Sequence, residues 1–197
     1  MESWIQESLD KDDIAFYTSI CDLMNTNHYE KAYSKLNQFD FNSLNLTTRR
    51  GALFLSELAG LLIDLGAEGI IRDAVEQGLE LLESNSTNLL KYTSKGSFEY
   101  NLGNAKKSLF EVIRHSNIKF NFTPESIDLL NAAKNHYWRA FKLIPEGNRE
   151  IRKEIMVNLG NTLSENGRSL EAIYYLDRVL KLAPNFPRGN ASRGVAL

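Results

Sequence analysis

The chain has 197 residues, of which 43% are hydrophobic and 24% are charged, a composition that excludes a disordered or collagen-like protein. Its 23 basic and 25 acidic side chains give a formal net charge of −2, which argues against nucleic acid or an anionic membrane as a partner. The single cysteine, the lack of an apolar run of membrane-spanning length and the acidic N-terminal segment lead us to expect a cytoplasmic protein without a secretory signal.

Apolar residues at spacings of three and four predict two helix pairs in the first half of the chain. The first pair occupies residues 13–46, with its turn at residues 25–27. The second pair occupies residues 52–84, and we expect Gly66 to mark the turn between its helices. Residues 84–96 are predicted to form an irregular link to the next pair.

The third predicted pair, residues 96–146, is longer because its first helix is extended and a loop is inserted near residues 114–123. Its second helix has a strong start signal. Thr123 can cap the helix, Pro124 suits the first helical position, and Glu125 places negative charge in the first turn.

The fourth predicted pair, residues 153–186, has the clearest boundaries. Gly167 can take the left-handed conformation that ends a helix, and Ser169 can cap the next one. Pro184 prevents the second helix from continuing. Residues 187–197 then begin a further helix, so the chain contains about four pairs and part of a fifth.

The fourth pair resembles a tetratricopeptide repeat (TPR), a helix–turn–helix unit of 34 residues. The residues that match the family pattern are Leu159, Gly160, Leu163, Ala172, Leu176 and Pro184. Gly194 follows Gly160 by 34 residues, which continues the repeat, whereas Met156 departs from it because the family has tryptophan there. The resemblance implies an all-α solenoid of antiparallel helix pairs, wound as a right-handed superhelix in one domain over residues 1–197, in a bacterial protein.

The tetrapeptide N-L-G-N, which occurs at residues 101–104 and 158–161, provides the candidate site. We expect its glycines, Gly103 and Gly160, to let the two helices of a pair approach closely. The resemblance implies that its asparagines line the concave groove, where a side-chain amide can pair with the N–H and C=O of a bound peptide. The candidate peptide-binding residues are Asn101, Asn104, Asn158, Asn161 and Arg188.

Two details of this site stay open. The repeat predicts that the equivalent residues Asn101 and Asn158 are neighbouring rungs of one ladder, but the asparagines are alternatively solvated or hydrogen-bonded between helices. Arg188 is the one basic candidate, and Glu154 occupies the matching position one unit earlier. We therefore predict no clamp for a C-terminal carboxylate.

The motifs of common enzymes are absent from the sequence, which has no phosphate-binding loop, dinucleotide fingerprint, nucleophile elbow or metal-ligand spacing. We predict no enzyme, no cofactor and no metal site. The leading hypothesis is a protein-interaction module that binds a peptide or partner segment in the concave groove. The alternatives are an N-terminal sensor or scaffold arm of a larger bacterial protein, with an effector such as a HEPN-type nuclease downstream, and self-association through the uncapped last helix.

Overall fold

The computed structural model describes residues 10–116 and 122–197, and these residues are helical, with no strand among them. The helices are α1 (Lys11–Asn25), α2 (Tyr29–Leu36), a 3₁₀ turn (Phe41–Ser43), α3 (Arg49–Gly69), α4 (Arg72–Ser84), α5 (Ser86–Leu89), α6 (Lys95–Ser116), α7 (Pro124–Leu143), α8 (Arg149–Glu165), α9 (Ser169–Leu182) and α10 (Pro187–Ala196). The all-α class is therefore confirmed, whereas the solenoid arrangement stays a prediction.

The described helices group into two compact units. The first contains residues 10–93 and 111–116, and the second contains residues 94–110 and 122–197, so α6 contributes to both. Whether the two units form one repeat domain, as the sequence predicts, stays a prediction.

The first unit is built around α3, whose apolar side chains form a core with α1, α2 and α4. The turn predicted at residues 25–27 is confirmed, because α1 ends at Asn25 and Asn27 has a φ of 58°. The link predicted at residues 84–96 contains the short helix α5.

The turn predicted at Gly66 is wrong. α3 continues to Gly69, and Ile70 adopts the left-handed conformation with a φ of 56°. Gly66 lies one turn earlier, where a Cβ atom would be 2.5 Å from Cγ2 of Val75 on α4. The glycine is needed there for close packing of two helices, and a sequence pattern does not separate that requirement from a helix end.

In the second unit, α6 and α7 run in opposite directions, because Gly96 packs against Ile144 while Gly103 packs against Tyr137. The predicted helix start is confirmed, since the Thr123 hydroxyl accepts from Ser126 N at 3.2 Å and Ser126 Oγ accepts from Thr123 N at 2.9 Å. The predicted insertion near residues 114–123 lies partly outside the described residues. The extended first helix is confirmed through Ser116.

The helices α8 and α9 form a tight hairpin. Gly167 has a φ of 72°, as predicted for a residue that ends a helix. The cap predicted at Ser169 is wrong by one position, because Ser169 is already helical and Arg168 precedes the helix without a side-chain capping bond. Helix α10 then packs against both α8 and α9.

Candidate functional site

The first helices of the pairs in the second unit, α6 and α8, contact each other through polar side chains, and α10 joins them. Asn158 Nδ2 donates to Asn104 Oδ1 and to the Tyr100 hydroxyl, both at 3.2 Å. Arg188 Nη2 of α10 donates to Asn158 Oδ1 at 3.0 Å. One amide of α8 therefore joins three helices.

Tyr137 of α7 is the remaining member of this network. Its hydroxyl donates to Asn104 Oδ1 at 3.0 Å, and its side chain is only 1% exposed. Burial raises the pKa of the Tyr137 phenol well above its ordinary value, so the hydroxyl remains a protonated donor. Asn104 Oδ1 thus accepts two hydrogen bonds, which uses both of its lone pairs.

The predicted role of the glycines is confirmed. A Cβ atom on Gly103 would lie 2.7 Å from Cδ1 of Tyr137, and one on Gly160 would lie 2.8 Å from Cγ of Leu176. Both distances are shorter than carbon contacts allow, so a methyl group at either glycine would force the facing side chain to move. This close approach brings the Tyr137 hydroxyl within reach of Asn104.

The hydrogen-bonded neighbours are Asn104 and Asn158, whereas the ladder of the equivalent positions Asn101 and Asn158 stays a prediction. The reason for the observed pairing is helical geometry. Tyr100 and Asn104 are four residues apart and share the face that α6 turns toward α8, whereas Asn101 is rotated away from that face. For Asn104 and Asn158, the structure shows one of the alternatives that the sequence left open, namely hydrogen bonds between helices.

Asn101 and Asn161 have a different environment. Each is half-buried, and each lies one helical turn from a member of the network, Asn104 or Asn158. Within the part of the chain that the structure describes, neither side-chain amide makes a hydrogen bond. Of the asparagines predicted to bind a peptide, these two keep all their hydrogen-bond donors and acceptors available.

Arg188 also forms an ion pair with Glu154 of α8, which accounts for the opposite charges at positions 34 residues apart. Lys107 of α6 and Glu165 of α8 form a further pair at 2.7 Å. Because the Arg188 guanidinium already has a carboxylate and an amide as partners, it is poorly placed to hold the carboxylate of a ligand as well.

The sequence interpretation missed Tyr100 and Tyr137 as parts of this network. The signal for Tyr100 is its spacing of four residues from Asn104, which places both on one helical face. No local signal identifies Tyr137, because its hydroxyl reaches Asn104 only through packing of α7 on α6.

Metal-binding clusters and membrane-spanning helices are both absent from residues 10–116 and 122–197. Those residues contain no group of three His, Cys, Asp or Glu side chains that could hold a metal ion. Across the same two ranges, each helix is too short or too polar to cross a membrane.

Comparison with known proteins adds no support for the resemblance to TPR proteins, which rests on the residues described above. No protein-family model matches the chain, and no curated protein has a significantly similar sequence.

Proposed function

We propose that the chain is a protein-interaction module of the TPR type, which binds an extended peptide or partner segment along α6, α8 and α10. We call this surface the asparagine face and define it by Asn101, Asn104, Asn158, Asn161 and Arg188. The observation that carries the proposal is the pair Asn101 and Asn161, two half-buried amides without hydrogen-bond partners among the described residues.

The two kinds of asparagine have complementary roles in this proposal. Asn104 and Asn158 hold α6 and α8 in register through their mutual hydrogen bond, and Asn158 joins α10 through its bond with Arg188. Asn101 and Asn161 then offer a donor and an acceptor each at set positions along that face. Pairing of such an amide with a peptide N–H and C=O replaces its hydrogen bonds to water, with a modest net gain, and depends little on the peptide side chains.

The helix contacts of the second unit support a TPR-type arrangement. Consecutive helices run antiparallel, since Gly96 and Gly103 of α6 pack against Ile144 and Tyr137 of α7. The next helix also reverses direction, because Asn166 after α8 bonds Asn131 of α7 while Arg152 of α8 bonds the carbonyl of Phe141. The first helices run parallel, since Asn104 meets Asn158 and Lys107 meets Glu165. In arrays of this kind the stacked first helices form the binding surface.

The test is selection of binding peptides from a random display library, followed by measurement of Kd by fluorescence polarisation. We expect the double variant Asn101→Ala/Asn161→Ala to bind the selected peptides about tenfold more weakly, because two hydrogen bonds are lost. The matched control removes two exposed asparagines elsewhere, Asn42 and Asn185, and should leave Kd unchanged. Peptides that bind both variants as tightly as the wild type would contradict the proposal.

Self-association through α10 is a second candidate. Val195 is 81% exposed and Leu197 is 79% exposed. A Cβ atom on Gly194 would have no described atom within 4 Å, so this side of α10 is open. Light scattering should then show oligomers that Val195→Ser/Leu197→Ser abolishes, whereas a strict monomer at high concentration would exclude this candidate.

The hypothesis of a larger protein with a downstream nuclease is separate from these two. Under it, residues 1–197 supply an arm and no chemistry, so ribonuclease activity of this chain should be undetectable. Measurable activity would contradict that hypothesis.

A further inference from the structure

A second concave surface of the second unit lies where the end of α7, the α7–α8 turn, the start of α8 and the end of α9 meet. This groove has a volume of about 520 Å³, within the range of small-molecule sites. Four cationic side chains line it, namely Arg149, Arg152, Arg178 and Lys181, together with the apolar side chains of Phe141 and Met156. We call it the basic groove.

The cations of the basic groove have no carboxylate partners among the described residues. Arg152 Nη1 donates to the carbonyl oxygens of Phe141 at 3.0 Å and Ile144 at 2.5 Å. The guanidinium lies 4.2 Å from the centroid of the Phe141 ring. Arg152 is thereby held in one position, and its remaining N–H groups stay available to a ligand.

Arg178 approaches the same ring from α9, at 5.7 Å from the centroid, and its Nη1 donates to the Tyr174 hydroxyl at 3.1 Å. Glu146 also lines the groove, so four positive charges there meet one negative charge. In a chain whose overall net charge is −2, this local excess of positive charge is a specific feature.

The start of α8 adds a fixed positive potential. α8 has 17 residues, and its N-cap, Asn148, makes no side-chain capping bond. The neighbouring Gly147 leaves open space, because a Cβ atom there would have no described atom within 4 Å. The N–H of Arg149 already donates to the Gly147 carbonyl, and the N–H groups that follow it in this uncapped first turn attract an anion beside the groove.

We propose that the basic groove binds a small phosphorylated molecule. Its phosphoryl groups would meet Arg149, Arg152, Arg178 and Lys181 at the start of α8, and its apolar part would lie on Phe141 and Met156. Arginine forks and helix N-termini both suit the several oxygens of a phosphate. This site is distinct from the asparagine face, because Arg152 and Met156 are on the side of α8 opposite Glu154 and Asn158.

The first experiment titrates the purified chain with inorganic tripolyphosphate, ATP, adenosine and citrate by isothermal calorimetry at about 150 mM salt, where non-specific surface attraction is screened. We expect tripolyphosphate and ATP to bind and adenosine not to bind. Tighter binding of ATP than of tripolyphosphate would show that the apolar side chains contact the nucleoside, and equal binding would show recognition of phosphate alone. Either result supports the proposal. Absence of binding by both, or equally tight binding of citrate, overturns it.

The second experiment locates the site with charge variants. Arg178→Gln/Lys181→Gln should weaken tripolyphosphate binding about tenfold, because two charged contacts are lost. The matched control Lys31→Gln/Arg49→Gln removes the same charge from exposed positions in the first unit and should leave Kd unchanged. Equal weakening in both double variants overturns the proposal.

The variant Glu146→Gln gives a test in the opposite direction. It should tighten tripolyphosphate binding about threefold, because it removes the repulsion between this carboxylate and the anion. Unchanged or weaker binding overturns the proposed position of the anion. Arg152 is left intact in all variants because it also caps α7.

Discussion

Replacing Gly103 by alanine tests the packing that positions the asparagine face. The new Cβ atom would lie 2.7 Å from both Cδ1 and Cε1 of Tyr137. That ring is 1% exposed and its hydroxyl bonds Asn104, so it cannot move away without loosening the network. The substitution therefore sets a packing loss against the higher helix propensity of alanine.

The magnitude follows from these two effects. Overpacking of a well-packed core costs about 1–3 kcal/mol, and Gly to Ala in a helix interior stabilises by about 1 kcal/mol. We expect Gly103→Ala to lower the free energy of unfolding by about 0–2 kcal/mol. Gly60→Ala, in the middle of α3 with no described atom within 4 Å of the Cβ position, should raise it by about 1 kcal/mol.

A third variant tests whether the stability effect depends on the glycine's position in the repeat or on the side chains packed against it. Gly194 is equivalent to Gly160 in the 34-residue repeat, yet its Cβ position is open, so Gly194→Ala should not destabilise. Urea unfolding followed by far-ultraviolet circular dichroism measures all three variants, after a check that the transition is two-state. Gly103→Ala stabilised as much as Gly60→Ala would refute the claim that Tyr137 limits this position.

Three further predictions concern the second unit, and each is measured by urea unfolding. Asn158→Ala should cost about 1–2 kcal/mol, because it removes three hydrogen bonds of a half-buried amide, and a double-mutant cycle with Arg188→Ala should show a coupling of about 0.5 kcal/mol or more. Zero coupling would mean that the bond between the two side chains contributes nothing. Thr123→Ala should cost about 1 kcal/mol through loss of the capping box, while Thr123→Ser should be nearly neutral; equal losses would contradict the capping role. Gly167→Ala should cost about 1 kcal/mol because Gly167 has a φ of 72°, and Gly167→Asn should cost less. A stabilising Gly167→Ala would contradict the left-handed turn.

Much of the helical pattern is predictable because its signals act within a few residues. Thr123 and Pro124 start a helix through their own backbone and side-chain chemistry, and Gly167 ends one through its freedom at positive φ. The two predictions that were wrong, a turn at Gly66 and a cap at Ser169, also used local rules. At Gly66 the packing of α3 on α4 explains the glycine, so the local rule pointed to the wrong cause.

The residues of the candidate site could be predicted from the sequence, but their hydrogen-bond partners could not. The repeated tetrapeptide identifies the asparagines, yet which of them bond to each other depends on the register of α6 against α8. That register in turn depends on side chains such as Tyr100 and Tyr137, whose roles become visible only when helices distant in sequence are packed together.

The sequence by itself determined the helical class, most helix boundaries and the glycines that let paired helices cross. These properties follow from periodicity, capping and side-chain size, which are local. Only the tertiary structure decided which amides are already paired and which remain available, and only it assembled the basic groove from Phe141, Arg152 and Arg178. Hydrogen-bond partners and clustered charges depend on distances between separate helices, and those distances are set by the packing of the whole unit.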